Sequence, residues 1–323
     1  GNNTETLKVF GIAQNFAFPT VYGANKKVKK AIVTVADTSF EIEKQRIENQ
    51  LIIAYFQFLY AKEKEQVYGY LDSLYSKFSH NANRRFELGA TNYLEKITAK
   101  SKQRQLETLY KQSQEDVKLA FIGIQKLVQV ETDFEVEVVP LIKIEMHQKD
   151  ISKNQSLLFY EAQKQLNKAQ TKLERQKLLP DIGLGYSYGE NSGLPGSTGV
   201  FQVGLKIPLL FGGQKSKVKA SKINQNIVSL KAVNYKAQLE AKQRQLLSRL
   251  NKFNESLQYY ETEGKSLSKA ILRTVNVSFR SGEVDFFQYI RSVENSYQIT
   301  LSYLENLNRY NQTVIQLNNL LLN

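Results

Sequence analysis

Two hydrophobic periods alternate along this chain. In long stretches the apolar positions step by fours and threes, as at Ile47, Leu51, Ala54, Phe58 and Ala61, and at Leu246, Leu250, Phe253, Leu257 and Tyr260. That spacing draws one apolar stripe down a helix and marks helices packed side by side, nearly parallel. Shorter stretches alternate. Phe10, Ile12, Phe16 and Phe18 alternate with Gly11, Ala13, Asn15 and Ala17; Ile182, Leu184, Tyr186 and Tyr188 alternate with Gly183, Gly185, Ser187 and Gly189. Phe201, Val203, Leu205 and Ile207 are likewise separated by Gln202, Gly204 and Lys206. A period of two predicts strands with one large apolar face and one small or polar face. Proline stands only at positions 19, 140, 180, 195 and 208. Because proline blocks helix interiors, stretches 20–139, 141–179 and 209–323 are free to form very long helices.

The elements recur. The run Phe10-Gly-Ile-Ala-Gln-Asn-Phe-Ala-Phe-Pro-Thr-Val-Tyr-Gly-Ala24 matches Phe201-Gln-Val-Gly-Leu-Lys-Ile-Pro-Leu-Leu-Phe-Gly-Gly213, with Pro19 on Pro208 at an offset of 189. Further on, Phe86-Glu-Leu-Gly89 matches Phe279-Arg-Ser-Gly282 at an offset of 193. The surplus of four residues is about one helical turn, so the long helix of the second copy should be one turn longer. Each copy reads as strand, long helix, turn and returning helix. The helix begins after the Pro-x-x-[Tyr/Phe]-Gly corner and runs roughly 65 to 70 residues, or about 100 Å. Asn92 with Glu95, and Asp285 with Gln288, read as capping boxes opening the return helices. Residues 1–140 form the first repeat and 141–323 the second. Between them Val130 to Val138 alternates ahead of Pro140, as a short strand or loop, and a further helix spans about Ile151 to Leu179.

The strand faces admit two readings. A soluble half-buried hairpin has the same period. Against it stand the aromatics near strand ends (Phe10, Phe18, Tyr186, Tyr188 and Phe201), placed as in an interfacial girdle, and helices already committed to one another. Three strands cannot close a barrel, so a membrane sheet needs strands from other subunits.

Composition narrows the chemistry. The net charge of +13 raises nucleic acid as a partner, but the basic residues are spread along every helix and no nucleic-acid motif accompanies them. Nucleic acid is set aside. With no Cys, two His (His80 and His147) and one Met (Met146), thiol chemistry is excluded and His/Cys metal sites nearly so. Met146, His147 and Asp150 read as loop, not as a ligand set. No nucleophile–base order, paired carboxylates or phosphate loop is present, so neither an enzyme nor a cofactor is expected. No stretch approaches the ~18 apolar residues of a membrane helix, and no signal peptide opens the chain.

In its order of elements the chain resembles the TolC-type outer-membrane efflux channels. The resemblance is carried by Leu179-Pro180-Asp-Ile-Gly-Leu, the Ile207-Pro208-Leu-Leu-Phe-Gly-Gly213 corner, and Phe-x-x-Gly-x-x-[Asn/Asp] at both helical turns. The Phe10-to-Tyr22 run looks most like members associated with heavy-metal pumps, some fused to the pump polypeptide. The resemblance implies a mainly α fold with membrane β: long antiparallel coiled-coil-like helices in a periplasmic α-barrel, joined to a trimeric twelve-stranded transmembrane β-barrel in the bacterial outer membrane. It further implies a homotrimer with a periplasmic adaptor and an inner-membrane pump. Four strands per subunit are expected and three are legible, the counterparts of residues 151–189 being absent from the first repeat. The alternative is a periplasmic coiled-coil adaptor or scaffold with a small β-domain.

Three sets of candidate residues follow. Gly89, Asn92, Glu95, Gly282, Asp285, Gln288 and Arg291 mark the periplasmic tip, where relatives carry charges that tie a closed tip together. Glu95 and Arg291 are expected to line or latch it, with ordinary solvated helix charges as the alternative. The glycines serve the turns. Lys26, Lys27, Lys29 and Lys30, echoed by Lys215, Lys217 and Lys219, lie where helix leaves sheet and read as a basic collar near outer-membrane lipid phosphates, or as water-exposed charge. The large strand residues Phe10, Ile12, Phe16, Phe18, Ile182, Leu184, Tyr186, Tyr188, Phe201, Val203, Leu205 and Ile207 are expected to face lipid.

Overall fold

A computed structural model describes residues 6–130, 134–147, 151–192, 196–207 and 211–320. Its elements in chain order are β1 (Leu7–Phe16), α1 (Pro19–Glu87), α2 (Tyr93–Val128), α3 (Gln155–Gln176), β2 (Asp181–Asn191), β3 (Ser197–Lys206), α4 (Gly212–Tyr259), α5 (Lys265–Ser281) and α6 (Phe286–Leu320). None of the described helices is long and apolar enough to cross a membrane. The chain divides into two compact units, each drawing on both sequence repeats.

One unit joins residues up to 42 with residues 152–238. Its sheet runs β1-β2-β3, antiparallel throughout. The strands stop short of two positions expected in them: Phe18 and Ile207 lie just past the ends of β1 and β3. At Phe18 the cause is Pro19, which starts α1 itself, four residues before Gly23. Proline suits a first helical position because its missing N–H would have no intrahelical partner there. Residues 208–210 of the matching corner lie outside the described residues. The third helix is shorter than expected. A 3₁₀ turn covers Ile151–Lys153, then the Asn154 side chain accepts hydrogen bonds from the N–H groups of Ser156 and Leu157 and opens α3. Side chains tie α3 to both long helices, through Thr20 to Gln176 (2.5 Å), Gln214 to Glu174 (2.7 Å) and Thr171 to Ser221 (2.8 Å).

The other unit holds residues 43–151 and 239–322. Two clusters form its interior. The first gathers Phe58, Leu59, Ile124, Leu246, Leu257, Leu307 and Val314, with Leu141 from the segment between the repeats. The second gathers Leu71, Tyr75, Ala99, Leu106, Phe286 and Val293. The 4-3-4-3 stripe of α4 is buried from Leu246 to Leu257, whereas Ile47 of the α1 stripe is exposed.

The four surplus residues of the second copy coincide with a defect. Where α1 is one uninterrupted 69-residue helix, its counterpart breaks into α4, a π-turn at Tyr260–Gly264, and α5. Lys265 N–H reaches back five residues to Tyr260 O. Four inserted residues overshoot a 3.6-residue turn, and a locally underwound turn absorbs such a surplus. Tyr260 stacks on Tyr303 of α6 (centroids 3.8 Å apart), and a Cβ on Gly264 would sit 3.4 Å from Ile299.

The segment between the repeats is a strap whose described residues form no helix or strand; residues 131–133 and 148–150 lie outside the described residues, Asp150 among them. Leu141 is buried, and Phe134, Val136, Ile144 and Met146 pack on the first cluster. Having no strand beside it, the strap pairs with side chains of α6. Asn311 accepts from Ile144 N–H (2.9 Å) and donates to Ile142 O (2.7 Å). Asn318 repeats this with His147 N–H (2.9 Å) and Glu145 O (3.3 Å). Seven helical residues rise about 10.5 Å and three extended residues about 10 Å. The two asparagines therefore match the strap's own repeat.

Candidate functional sites at the helical turns and the sheet

The turn between α1 and α2 is built by a glycine and a clamp. Gly89 takes φ +69°, with open space around it, so its need is conformational. Asn92 accepts from Glu95 N–H (2.9 Å) and caps α2. Only half of the expected capping box forms, because the Glu95 carboxylate goes elsewhere. It accepts from Arg85 Nη1 in the last turn of α1 (2.9 Å) and from Thr91 Oγ1 (2.5 Å), and Glu95 is only 8% exposed. Above it Lys96 Nζ lies 4.7 Å from the centre of the Phe86 ring.

The turn between α5 and α6 completes its box. Gly282 takes φ +79°, Asp285 accepts from Gln288 N–H (2.7 Å), and Gln288 accepts from Asp285 N–H (3.0 Å). Arg291 is exposed one turn on and lines a groove with Tyr68 and Tyr75 of α1 and Gln105 of α2. Its guanidinium has no ion-pair partner among the described residues, and Glu95 does not meet it. The charge link between α2 and α6 at this level is Lys102 to Glu294 (2.7 Å). Neither that link nor Arg85 was singled out from the sequence, since helical spacing shows which face a charge occupies but not which helix faces it.

The seven collar lysines are all exposed, and none forms an ion pair among the described residues. Lys215 Nζ lies 5.9 Å from the centre of the Phe211 ring. From Pro19 to Ala36 and from Gly212 to Leu239 there is no acidic residue. In the first turn of α4, Gln214 donates to the Glu174 carboxylate (2.7 Å). Partial burial works to raise its pKa, but hydrogen bonds from Lys177 and Gln214 leave it below the usual carboxylate range.

The strand register aligns the large residues. Ile12 pairs with Tyr186 and Tyr186 with Phe201; Phe16 with Ile182 and Ile182 with Leu205; Leu184 with Val203. Opposite Leu184 on β1 stands Gln14, the one polar break in the row. Phe10 and Ile12 are 75% and 76% exposed, Phe201 and Val203 74% and 69%. The reverse face carries Ala13, Gly185 and Gln202 in one row, and Asn15, Gly183 and Gly204 in another. Among the described residues no three His, Cys, Asp or Glu side chains stand together to hold a metal.

No protein-family model and no curated sequence matches the chain. Its backbone is similar to the CmeC outer membrane channel of Campylobacter jejuni, with a TM-score of 0.80 at 12% identity, covering 98% of this chain and 77% of that one. The open state of the MtrE outer membrane channel of Neisseria gonorrhoeae superposes with a TM-score of 0.79 at 13% identity, over 98% and 80% of the two chains. The outer-membrane channel OprN gives a TM-score of 0.80 at 12% identity, over 98% and 81%. The fold of this chain is that of outer-membrane channels.

Proposed function

We propose that this chain is a subunit of an outer-membrane efflux channel, a passive conduit for cargo delivered by an inner-membrane pump through a periplasmic adaptor. The observation that carries the reading is the sheet. One face is dominated by large apolar residues, the other by small and polar ones interrupted by Val9 and Val200, and both outer edges are unpaired among the described residues. Water penalises such a face, and lipid penalises such edges unless neighbouring strands pair with them. A homotrimeric, twelve-stranded barrel with four strands per subunit, three of them β1, β2 and β3, satisfies both demands, and the two sequence repeats, 1–140 and 141–323, give each subunit its internal symmetry. In this reading the Gly89 and Gly282 turns form the periplasmic tip that meets the adaptor, and the lysine collar lies at lipid phosphates. Metal cargo rests only on the resemblance of the Phe10-to-Tyr22 run, and a chain without Cys would leave metal selection to the pump.

The test is reconstitution of the purified protein into planar bilayers, beside fractionation of the native membrane. A channel gives stepwise conductance and stays with the outer membrane through high-salt washing. A soluble adaptor or scaffold gives no conductance and is released by salt, which would refute the proposal.

A further inference from the structure

Between α4 and α6 lies a groove of about 1010 Å³ whose charged lining is wholly basic: Arg244, Arg249 and Lys252 from α4, and Arg309 from α6. Of these only Arg309 has an acidic partner, Glu305 on its own helix. The three cations of α4 make no ion pair among the described residues. Arg249 and Lys252 stand three residues apart, neighbours on the helix surface where like charges repel. Gln316 adds an amide to the same lining, while the Gln312 amide already donates to Gln57 and Asn308. Guanidinium and amide groups converging without a carboxylate make a receptor for phosphate, sulfonate or carboxylate.

The placement of the groove bears on transport. Asn311 and Asn318 direct one flank of α6 to the strap, while Arg309, Gln312 and Gln316 follow at steps of three and four on the other flank. If the chain forms a conduit, the strap-covered face belongs outside, because a peptide laid over the inner wall of every subunit would obstruct passage. The basic groove then fronts the passage.

We infer that this groove binds anionic solutes in transit, and that the cargo class of the channel is anionic; the second half rests on the channel reading above. A free divalent metal ion is the class this wall disfavours. Metal would have to pass as an anionic complex.

Two measurements test this, and they fail separately. Isothermal titration calorimetry of the full-length protein in detergent, with tripolyphosphate as the probe at low salt, should show micromolar binding. The triple variant R244Q/R249Q/K252Q should bind at least tenfold more weakly. A charge-matched control on α5, K265Q/K269Q/R273Q, at three exposed cations outside the groove, should bind like the parent. In bilayers under a potassium chloride gradient, the reversal potential of the parent should report preference for chloride, and the groove variant should lose it. The proposal is overturned by absent binding, by equal weakening in the α5 control and groove variants, or by a conducting channel that prefers potassium. Groove-dependent binding in a protein that never conducts keeps the anion site and sinks the channel reading instead.

Discussion

The strap should be held by Asn311 more than by any other single side chain. Asn311 is fully buried, and its amide satisfies one N–H and one C=O of the strap at 2.9 and 2.7 Å. Asn311→Ala leaves both backbone groups of Ile144 and Ile142 without a partner in a dry site. Each orphaned group costs about 1–3 kcal/mol, so the two together cost about 2–6 kcal/mol unless the strap lifts and lets water reach them. At about 1.4 kcal/mol per factor of ten, local opening should become roughly thirtyfold to twenty-thousandfold more frequent. The readout is hydrogen exchange at the Ile144 amide, the very group the side chain accepts from. Asn318→Ala should accelerate His147 exchange by less, because its donated bond is long at 3.3 Å and it is only partly buried. If Ile144 exchanges at the parent rate in Asn311→Ala while global stability falls, the asparagine acts through packing alone and the pairing argument is wrong.

Four further outcomes are expected. Glu95→Gln should lower stability in urea by about 1–2 kcal/mol through loss of the Arg85 clamp, whereas Arg291→Gln, exposed and unpaired, should stay within about 0.5 kcal/mol. Gly282→Ala should cost about 1–2 kcal/mol for its positive φ alone, and Gly282→Asn less, since asparagine tolerates that region. Burial pushes the Tyr75 and Tyr297 hydroxyls well above the usual tyrosine range; the unfolded chain then ionises first, so their contribution to stability is intact below about pH 10 and lost as pH rises beyond it. Circular dichroism and phenolate absorbance followed together should show ionisation arriving with unfolding. Finally, Val203→Arg should impair insertion by about 2–4 kcal/mol if its face meets lipid, while Gln202→Arg on the reverse face should insert normally; equal assembly of the two in outer-membrane fractions would reject the assigned faces.

Periodicity made the element order legible. The doubled strand–helix–turn pattern, the three strands with their apolar sides, and both glycine turns all follow from spacing that one chain displays by itself. Boundaries were less legible where two signals competed, as at Pro19, which both ends a strand and begins a helix. Charge partnerships were not legible. Glu95 and Gln288 occupy matching places in the repeat, yet Gln288 closes its capping box and Glu95 does not, because only the first copy places an arginine, Arg85, within reach. The π-turn had a trace in sequence, the change of offset from 189 to 193, but an offset gives the number of extra residues and not where the helix absorbs them. Asn311 and Asn318 left only their spacing of seven, on a helix rich in polar residues.

The row Ile12–Tyr186–Phe201 has a consequence for biogenesis. A sheet whose broad face repels water and whose two edges still seek partners has no comfortable state as a lone protomer. In the channel reading, its strands gain most of their stability only when neighbours and lipid arrive together. Folding of this part of the chain should thus depend on protomer concentration, and a chaperone that shields the strands before assembly would be required to keep the protein out of aggregates.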